Sequence, residues 1–224
     1  MLTHYRFDTL GGADHGWLKA KHHFSFASYH DPQKMSFGEL LVINDDIIAP
    51  HTGFDTHPHR DMEIITYVRR GAISHTDNKG NEGRTTAGNV QVMSAGTGIS
   101  HSEFNHEDED TNIYQIWIMP RSKGIVPRWD TAEFPATPAH DALALLVSGD
   151  HNAPLSINQD ARIYAGRMQA GTALTHHMSG QAYLLVSDGS LLVDGNLATK
   201  GDGIAISDQP SVGLSAEEAC EVLV

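Results

Sequence analysis

Two short stretches of the chain carry residues of a type and spacing that could hold a metal ion. In Gly53-Phe-Asp-Thr-His57-Pro-His59-Arg-Asp-Met-Glu63-Ile-Ile-Thr-Tyr-Val68 the second half is rich in Ile, Thr, Tyr and Val and reads as a β-strand. Side chains at i and i+2 leave a strand on the same face. His57 and His59 therefore point one way, and Glu63 joins them if the strand is unbroken. In Gly96-Thr-Gly98-Ile-Ser-His101-Ser-Glu103-Phe-Asn105, His101 and Glu103 repeat that spacing after a glycine turn. Three imidazoles and one carboxylate on two short strands make a mixed nitrogen and oxygen donor set. Closed structural zinc sites are usually cysteine-rich and tetrahedral. This set suits Fe, Mn, Cu, Ni or catalytic Zn, with positions left open on an octahedral ion. Such a site serves chemistry or sensing.

The elements that must position these residues are short strands. Leu40-Leu-Val-Ile43 reads as a buried strand stopped by the turn-forming Asn44-Asp45-Asp46, and Ala72–Asp77 as another, followed by a hairpin turn at Asp77-Asn-Lys-Gly80. Gly88–Met93 leads into the glycine-rich turn, and Ile113–Met119 is a strong strand. Strands at this regular spacing imply a barrel or sandwich. Residues 1–20 read as an irregular lead-in with at most one short strand. His22 and His23, before the Phe24/Phe26 alternation, read as surface or pocket-rim residues, since no second doublet offers them partners. Asn105–Asp110 reads as a solvated acidic loop.

Residues 120–140, with Pro120, Pro127, Pro135 and Pro138, read as a linker. Beyond it, Leu143–Val147, Ile163–Arg167, Ala182–Val186, Ser190–Val193 and Ile204–Ile206 are short strands with turn signals at Asp188-Gly189 and Asp194-Gly195. The expected fold is all-β, two tandem β-barrels, the first over residues 1–130 and the second over 131–224. His176 and His177 are adjacent and face opposite sides of a strand, so the second barrel is expected to hold no metal. Ser215–Ala219 is the one place where a single helical turn is expected, with Ser215 as its N-cap.

The chain has 224 residues and a formal charge of −13. That charge argues against nucleic acid, whose binding needs a basic surface to displace counterions, and against anionic membranes. One cysteine, Cys220, excludes an intrachain disulfide and suits a reducing compartment. With no apolar signal core in Met1–Arg6 and no apolar run of spanning length, a soluble cytoplasmic protein is expected.

The two metal-type stretches resemble the paired motifs of the cupin superfamily. More closely, Gly53-Phe-x-Thr-His57-Pro-His59-x-Asp-Met-Glu63-Ile and Met93-Ser-Ala-Gly-Thr-Gly-Ile-x-His101-Ser-Glu103 resemble the pirin family. So do His23-Phe-Ser-Phe-Ala-Ser-Tyr-His-Asp-Pro32, Val42-Ile-Asn-Asp-Asp46 and Tyr114-Gln-Ile-Trp-Ile-Met-Pro120. The likeness covers most of residues 20–130 and is much weaker after 140. Three residues, not the five of most cupins, separate Gly53 from His57, and Ser94 stands where a proline is usual; pirins share both habits.

The resemblance implies a bicupin in which His57, His59, His101 and Glu103 are the metal ligands and Glu63 is a neighbour. It implies one divalent transition metal, Fe(II) first, with Cu, Mn, Ni, Co and Zn compatible. For bacterial-type pirins it implies quercetin 2,3-dioxygenase activity, the flavonol ring being cleaved with O2 and carbon monoxide released. The partners would then be a small aromatic substrate and O2. Glu103 is the expected proton acceptor and Glu63 the reserve.

Two other classes stand beside this one. An iron-dependent, redox-responsive binding protein would act through contact with a protein partner, as animal pirins are described. A phosphosugar isomerase would need a cation in the pocket, and the motifs offer only Arg60, on the face opposite His59. Phe54, Met62, Ile64, Met93, Phe104, Ile116 and Ile118 are the apolar residues from which a pocket could be lined, and strand alternation must send some of them outward.

Overall fold

The computed structural model describes residues 1–224, as twenty-two strands from β1 (Leu2–Tyr5) to β22 (Cys220–Leu223) and one 3-10 turn, Phe7–Thr9. No helix is long and apolar enough to cross a membrane. Two compact units form. They are not cut from the chain at a single point: one comprises Gly11–Phe134 and Val147–Ala161, the other Met1–Leu10, Pro135–Leu146 and Arg162–Val224.

The first unit is a barrel of two antiparallel sheets. The larger has the order β12 (Arg128–Glu133), β9 (Asn89–Ser94), β6 (Glu63–Arg70), β11 (Thr111–Ile118), β4 (Leu40–Ile48), β3 (Leu18–His22) and β2 (Gly11–Asp14). The smaller has the order β5 (Thr52–His59), β10 (Ile99–Asn105), β7 (Ala72–Asp77) and β8 (Glu82–Thr86). Leu18, Ile48, Val68, Ile73 and Ile113 join strands of both sheets in one apolar cluster. Ile64, Met93, Ala95 and Ile99 form a second, with Met62, Trp117 and Trp129 against it. Strand β6 is buried on both faces, which is why its sequence is nearly continuous in apolar residues rather than alternating. On one of those faces Tyr67 packs against Tyr114 and Phe134, and Arg69 lies over the Tyr114 ring while pairing with Asp45 at 2.5 Å.

The second unit repeats the plan. One sheet runs β1, β20 (Gly203–Ile206), β17 (Ala182–Asp188), β22, β15 (Arg162–Met168) and β13 (Ala144–Ser148). The other runs β16 (Ala173–His177), β21 (Ser211–Ser215), β18 (Ser190–Val193) and β19 (Asn196–Thr199). Leu184, Val186, Leu191, Ile204, Val212, Leu214 and Val222 fill its core. The short β14 (Leu155–Ser156) pairs in parallel with Val147 and Ser148, within the first unit. The architecture is all-β, a bicupin.

Five local readings of the sequence are corrected. Asn44-Asp45-Asp46 is not a turn: β4 runs through it, with all three residues buried and paired to Gln115, Tyr114 and Ile113 of β11. The stretch 53–68 is two strands in different sheets. Asp61 takes a left-handed conformation (φ 49°), its N–H bonds Gly96 O, and its carboxylate caps the Gly124 N–H, so the chain turns between His59 and Glu63. Residues 1–20 hold most of three strands, β1, β2 and β3, whose polar and glycine-rich composition hides them. Within the expected linker, Arg128–Glu133 pairs in register with β9 from Arg128↔Ser94 to Glu133↔Asn89. It is a half-exposed edge strand, and its charges suit an edge that must not recruit a neighbour. Ser215 closes β21, and no helical turn follows.

Candidate metal centre

Strands β5 and β10 run antiparallel with His101 directly opposite His57 and Ile99 opposite His59. This register, together with the i, i+2 spacing, brings three imidazoles together. Ring centroids lie 4.8 Å apart for His57 and His59, 4.5 Å for His57 and His101, and 5.1 Å for His59 and His101. One donor nitrogen from each lies within 4.8 Å of the others. His57 Nδ1 sits 2.7 Å from the carbonyl oxygen of Asp55, which can only accept, so Nδ1 carries a proton and Nε2 is the nitrogen left for a ligand. His101 is buried, and its Nε2 has no hydrogen-bond partner in the protein.

Burial, and then the neighbouring His57, hold the His59 pKa down at about 4. Burial first, then His57, His59 and His75, take His101 down to about 3 against the opposing pull of Asp77. Near neutral pH both rings are therefore uncharged, the state in which an imidazole ligates. Two rings held neutral by burial, a third imidazole beside them and an orphaned buried nitrogen fit a first-row divalent ion.

Glu103 does not complete that trio directly. Its carboxylate belongs to an overlapping group with His75 and His101, again within 4.8 Å. The register of β10 against β5 slips between His101 and Glu103. The Glu103 side chain runs into the barrel, where Oε1 accepts from Thr66 Oγ1 at 3.2 Å and Gln91 Nε2 at 2.5 Å, and Oε2 from Gln115 Nε2 at 2.9 Å. All three donors are neutral. Burial pushes its pKa up to about 7 although these bonds pull the other way. Glu63 is elsewhere: it lies opposite Ser94 in the larger sheet and accepts from Ser94 Oγ at 2.6 Å, its pKa also raised by burial. It does not share the face of His57 and His59.

Beside the imidazoles lies a pocket of about 630 Å³ walled by Trp17, Phe26, Phe54, Phe104 and Trp117, with His57, His59 and Gln115 on its surface and exposed His51 and Asp55 at its rim. Trp17 meets Phe54 edge to face at 5.2 Å, and Trp117 meets both Phe26 at 5.5 Å and His59 at 5.0 Å. Of the apolar residues expected to line it, Phe54 and Phe104 do. Ile64 and Met93 are core, and Ile116 and Ile118 alternate away from the pocket-facing Gln115 and Trp117. Gln115 alone both lines the pocket and bonds Glu103.

His22 and His23 are not surface residues. Both are buried, and His22 bonds Asn44 Oδ1 at 2.8 Å between Phe26 and Tyr29, so a satisfied ring here acts as core. In the second unit His176 is buried against Tyr164 and His177 is exposed, as alternation requires. Both groups of three ligand-type side chains lie in the first unit. The residue that sequence reasoning passed over is His75. With Asp77 it forms its own i, i+2 doublet on β7, and that spacing was the available signal.

The histidine shifts have a consequence for stability. A histidine whose folded pKa is depressed loses its contribution as the pH falls below the unfolded value of 6.5, because the unfolded chain takes the proton first. His22, His59, His75, His101 and His176 all shift this way, burial being the leading cause for each. Asp46, Glu63 and Glu103 are raised, so their contributions are full at low pH and are lost as it rises. Five histidines oppose these three carboxylates, and the lowered carboxylates Asp8, Asp77, Glu107 and Asp202 act in the same direction as the histidines. The Tm of metal-free protein is expected to fall as the pH is lowered from 6.5 to 4.5. Thermal unfolding at four pH values in that window checks this, and a level or rising Tm contradicts it.

Residues 5–118 match the family described as Pirin, and residues 145–224 the one described as the quercetinase C-terminal cupin domain. The chain is 50% identical over 228 residues to a pirin-like protein of Caulobacter vibrioides, covering 100% of this chain and 98% of that one. It is 41% identical over 218 residues to a quercetin 2,3-dioxygenase of Escherichia coli, covering 96% and 93%. The crystal structure of the bacterial pirin YhhW of E. coli in complex with nickel(II) superposes with a TM-score of 0.93 at 40% identity, covering 100% of this chain and 97% of that one. In barrel plan, motif residues and overall sequence alike, the chain belongs to the pirin family.

Proposed function

We propose that the protein is a metal-dependent quercetin 2,3-dioxygenase that opens the central ring of a flavonol by breaking both C–C bonds to C3, so that C3 leaves as CO and each flanking carbon gains one atom of O2, with His57, His59, His101 and Glu103 serving the metal and Fe(II) as its native ion. The observation that carries this reading is the trio of imidazoles, of which His57 and His59 border an aromatic-walled pocket, with a buried carboxylate of pKa about 7 beside His101. The metal supplies Lewis acidity toward the flavonol 3-hydroxyl and a redox partner for O2. The rest falls to the chain. Trp17, Phe26, Phe54, Phe104 and Trp117 offer flat apolar walls for a fused aromatic ring system and keep water from it. Glu103 takes the 3-hydroxyl proton, its pKa lying close to the pH at which it must work.

One O2 is consumed and one CO released per flavonol, the remainder leaving as an ester of two aromatic acids. The chemistry is assigned to residues 1–130, and residues 131–224 are taken to hold no metal. The net charge of −13 makes nucleic acid an unsuitable partner. The full chain loaded with Fe(II), and separately with Ni, Co, Cu, Mn or Zn, should bleach quercetin and release CO under air but not under argon. If no metal supports O2-dependent turnover, the reading fails, and a redox-responsive protein that works through a protein partner takes its place.

A further inference from the structure

His75 lies on β7, opposite Glu103 of the neighbouring β10, with neither its own side chain nor that of Asp77 exposed to solvent. Its two ring nitrogens are both engaged. Nε2 is 3.0 Å from Asp77 Oδ2, and Nδ1 is 3.3 Å from His101 Nδ1. The Trp129 indole stacks on the ring at 5.0 Å, inclined by 10°, which fixes its plane. Asp77 is itself immobilised by the hairpin that follows. Its Oδ1 accepts from the N–H groups of Lys79 and Asn81, and its Oδ2 from the Asn81 side-chain amide at 2.8 Å.

The proton positions follow by elimination. A carboxylate accepts only, so the proton between Asp77 and His75 is on His75 Nε2. A neutral imidazole has one N–H, which leaves His75 Nδ1 as a lone pair. The contact between the two Nδ1 atoms then needs a donor, and that donor is His101. With its single proton on Nδ1, His101 presents an unprotonated Nε2, the buried atom that has no partner in the protein.

We propose that Asp77 and His75 are positioning residues that lock His101 in its Nδ1–H tautomer, with the Nε2 lone pair turned to the metal. This rests on the metal reading above, and it extends the usual outer partner of a metal-bound histidine from one group to two in series. It also accounts for the second ligand-type cluster, His75, His101 and Glu103: the close approach of its two rings is a hydrogen bond rather than a second ion site.

Asp77→Asn is the decisive variant because it inverts the relay with a side chain of nearly the same shape. The amide oxygen can keep the two backbone N–H groups, which turns the NH2 toward His75 Nε2, and the Asn81 side-chain amide, which now donates to Oδ2, turns over to accept from it. His75 must then accept there and donate from Nδ1, forcing the proton of His101 onto Nε2. Nitrogen-15 NMR of metal-free full-length protein at pH 7.5 reads this directly. Wild type should show His101 protonated at Nδ1, and Asp77→Asn should show it protonated at Nε2. Affinity for Ni2+, measured by competition with a chelator, should drop about 10- to 100-fold in Asp77→Asn.

His75→Phe preserves the stacking with Trp129 but removes both nitrogens, and it should lose affinity to a similar extent. A wild-type His101 protonated at Nε2, Ni2+ affinities in both variants within twofold of wild type, or Ni2+ held through His75 would each overturn the proposal. Wild type that binds no divalent metal while showing the Nδ1–H tautomer would instead overturn the metal reading and leave the relay standing.

Discussion

Replacing His59 with alanine is expected to abolish metal binding and flavonol turnover together while leaving the fold intact. His59 is one of three donors that lie within 4.8 Å of each other, and its ring is neutral in the working pH range because burial holds its pKa at about 4. Removing it leaves two imidazoles, one of them only half-buried along the pocket wall. The loss of affinity should exceed the roughly 100-fold upper limit typical of outer-sphere partners, since a whole coordinate bond is gone. Stability should change little, because the ring is half-buried beside the pocket rather than packed in a core cluster. Metal analysis after dialysis, the quercetin assay and a thermal melt in metal-free buffer separate these effects. A His59→Ala protein that retains stoichiometric metal through chelator washing would show that the ion is held elsewhere.

Glu103→Gln is expected to retain some metal, since an amide oxygen can still coordinate weakly, yet lose turnover by about 10²- to 10⁴-fold, the range of a missing general base. The amide is nearly isosteric and its oxygen can still accept from Thr66 and Gln91. It cannot accept a proton near neutral pH. Its NH2, however, would face the Gln115 Nε2 that now donates to Oε2, two donors at 2.9 Å. Gln115 would have to turn over, which breaks the bond that its Oε1 accepts from Trp117 Nε1 at 3.2 Å. Because Gln115 and Trp117 both line the pocket, a raised KM should accompany the fall in kcat. Stopped-flow binding of flavonol under argon would report the first and O2-dependent decay the second. Turnover within threefold of wild type would remove Glu103 from the role of base.

The strands and the ligand-type doublets were legible because they rest on local rules. Period-two geometry needs only neighbouring residues, so the shared face of His57 and His59 follows from their spacing alone. What sets His101 opposite His57 is the pairing of two strands forty residues apart, and no local pattern encodes that register. The break after His59 was hidden because Arg60-Asp61-Met62 contains no glycine or proline; an aspartate adopts the left-handed turn instead. Strands β1, β2 and β12 escaped notice because edge strands carry polar residues and need no apolar face. Glu103 looks like His101 in the sequence, but a slip in the β10 register and three neutral donors turn its carboxylate toward His75. The relay through His75 and Asp77 uses a doublet as plain as the other two. It was passed over because its meaning depends on what stands across the sheet.

The pairing of β1 with β20, from Leu2↔Ile206 to Tyr5↔Gly203, sets the order in which the molecule can be completed. During synthesis Leu2 emerges long before Ile206, and at about 5–20 residues per second the wait is roughly 10–40 s. Over that time β1 has no sheet to join, while the unit that carries the histidines, whose last segment ends at Ala161, is completed ahead of Ile206. The barrel that carries the histidines can therefore be in place while the ribosome is still making the strand that β1 needs. Closure of the second barrel, by the most non-local strand pairing in the chain, then comes late and slowly.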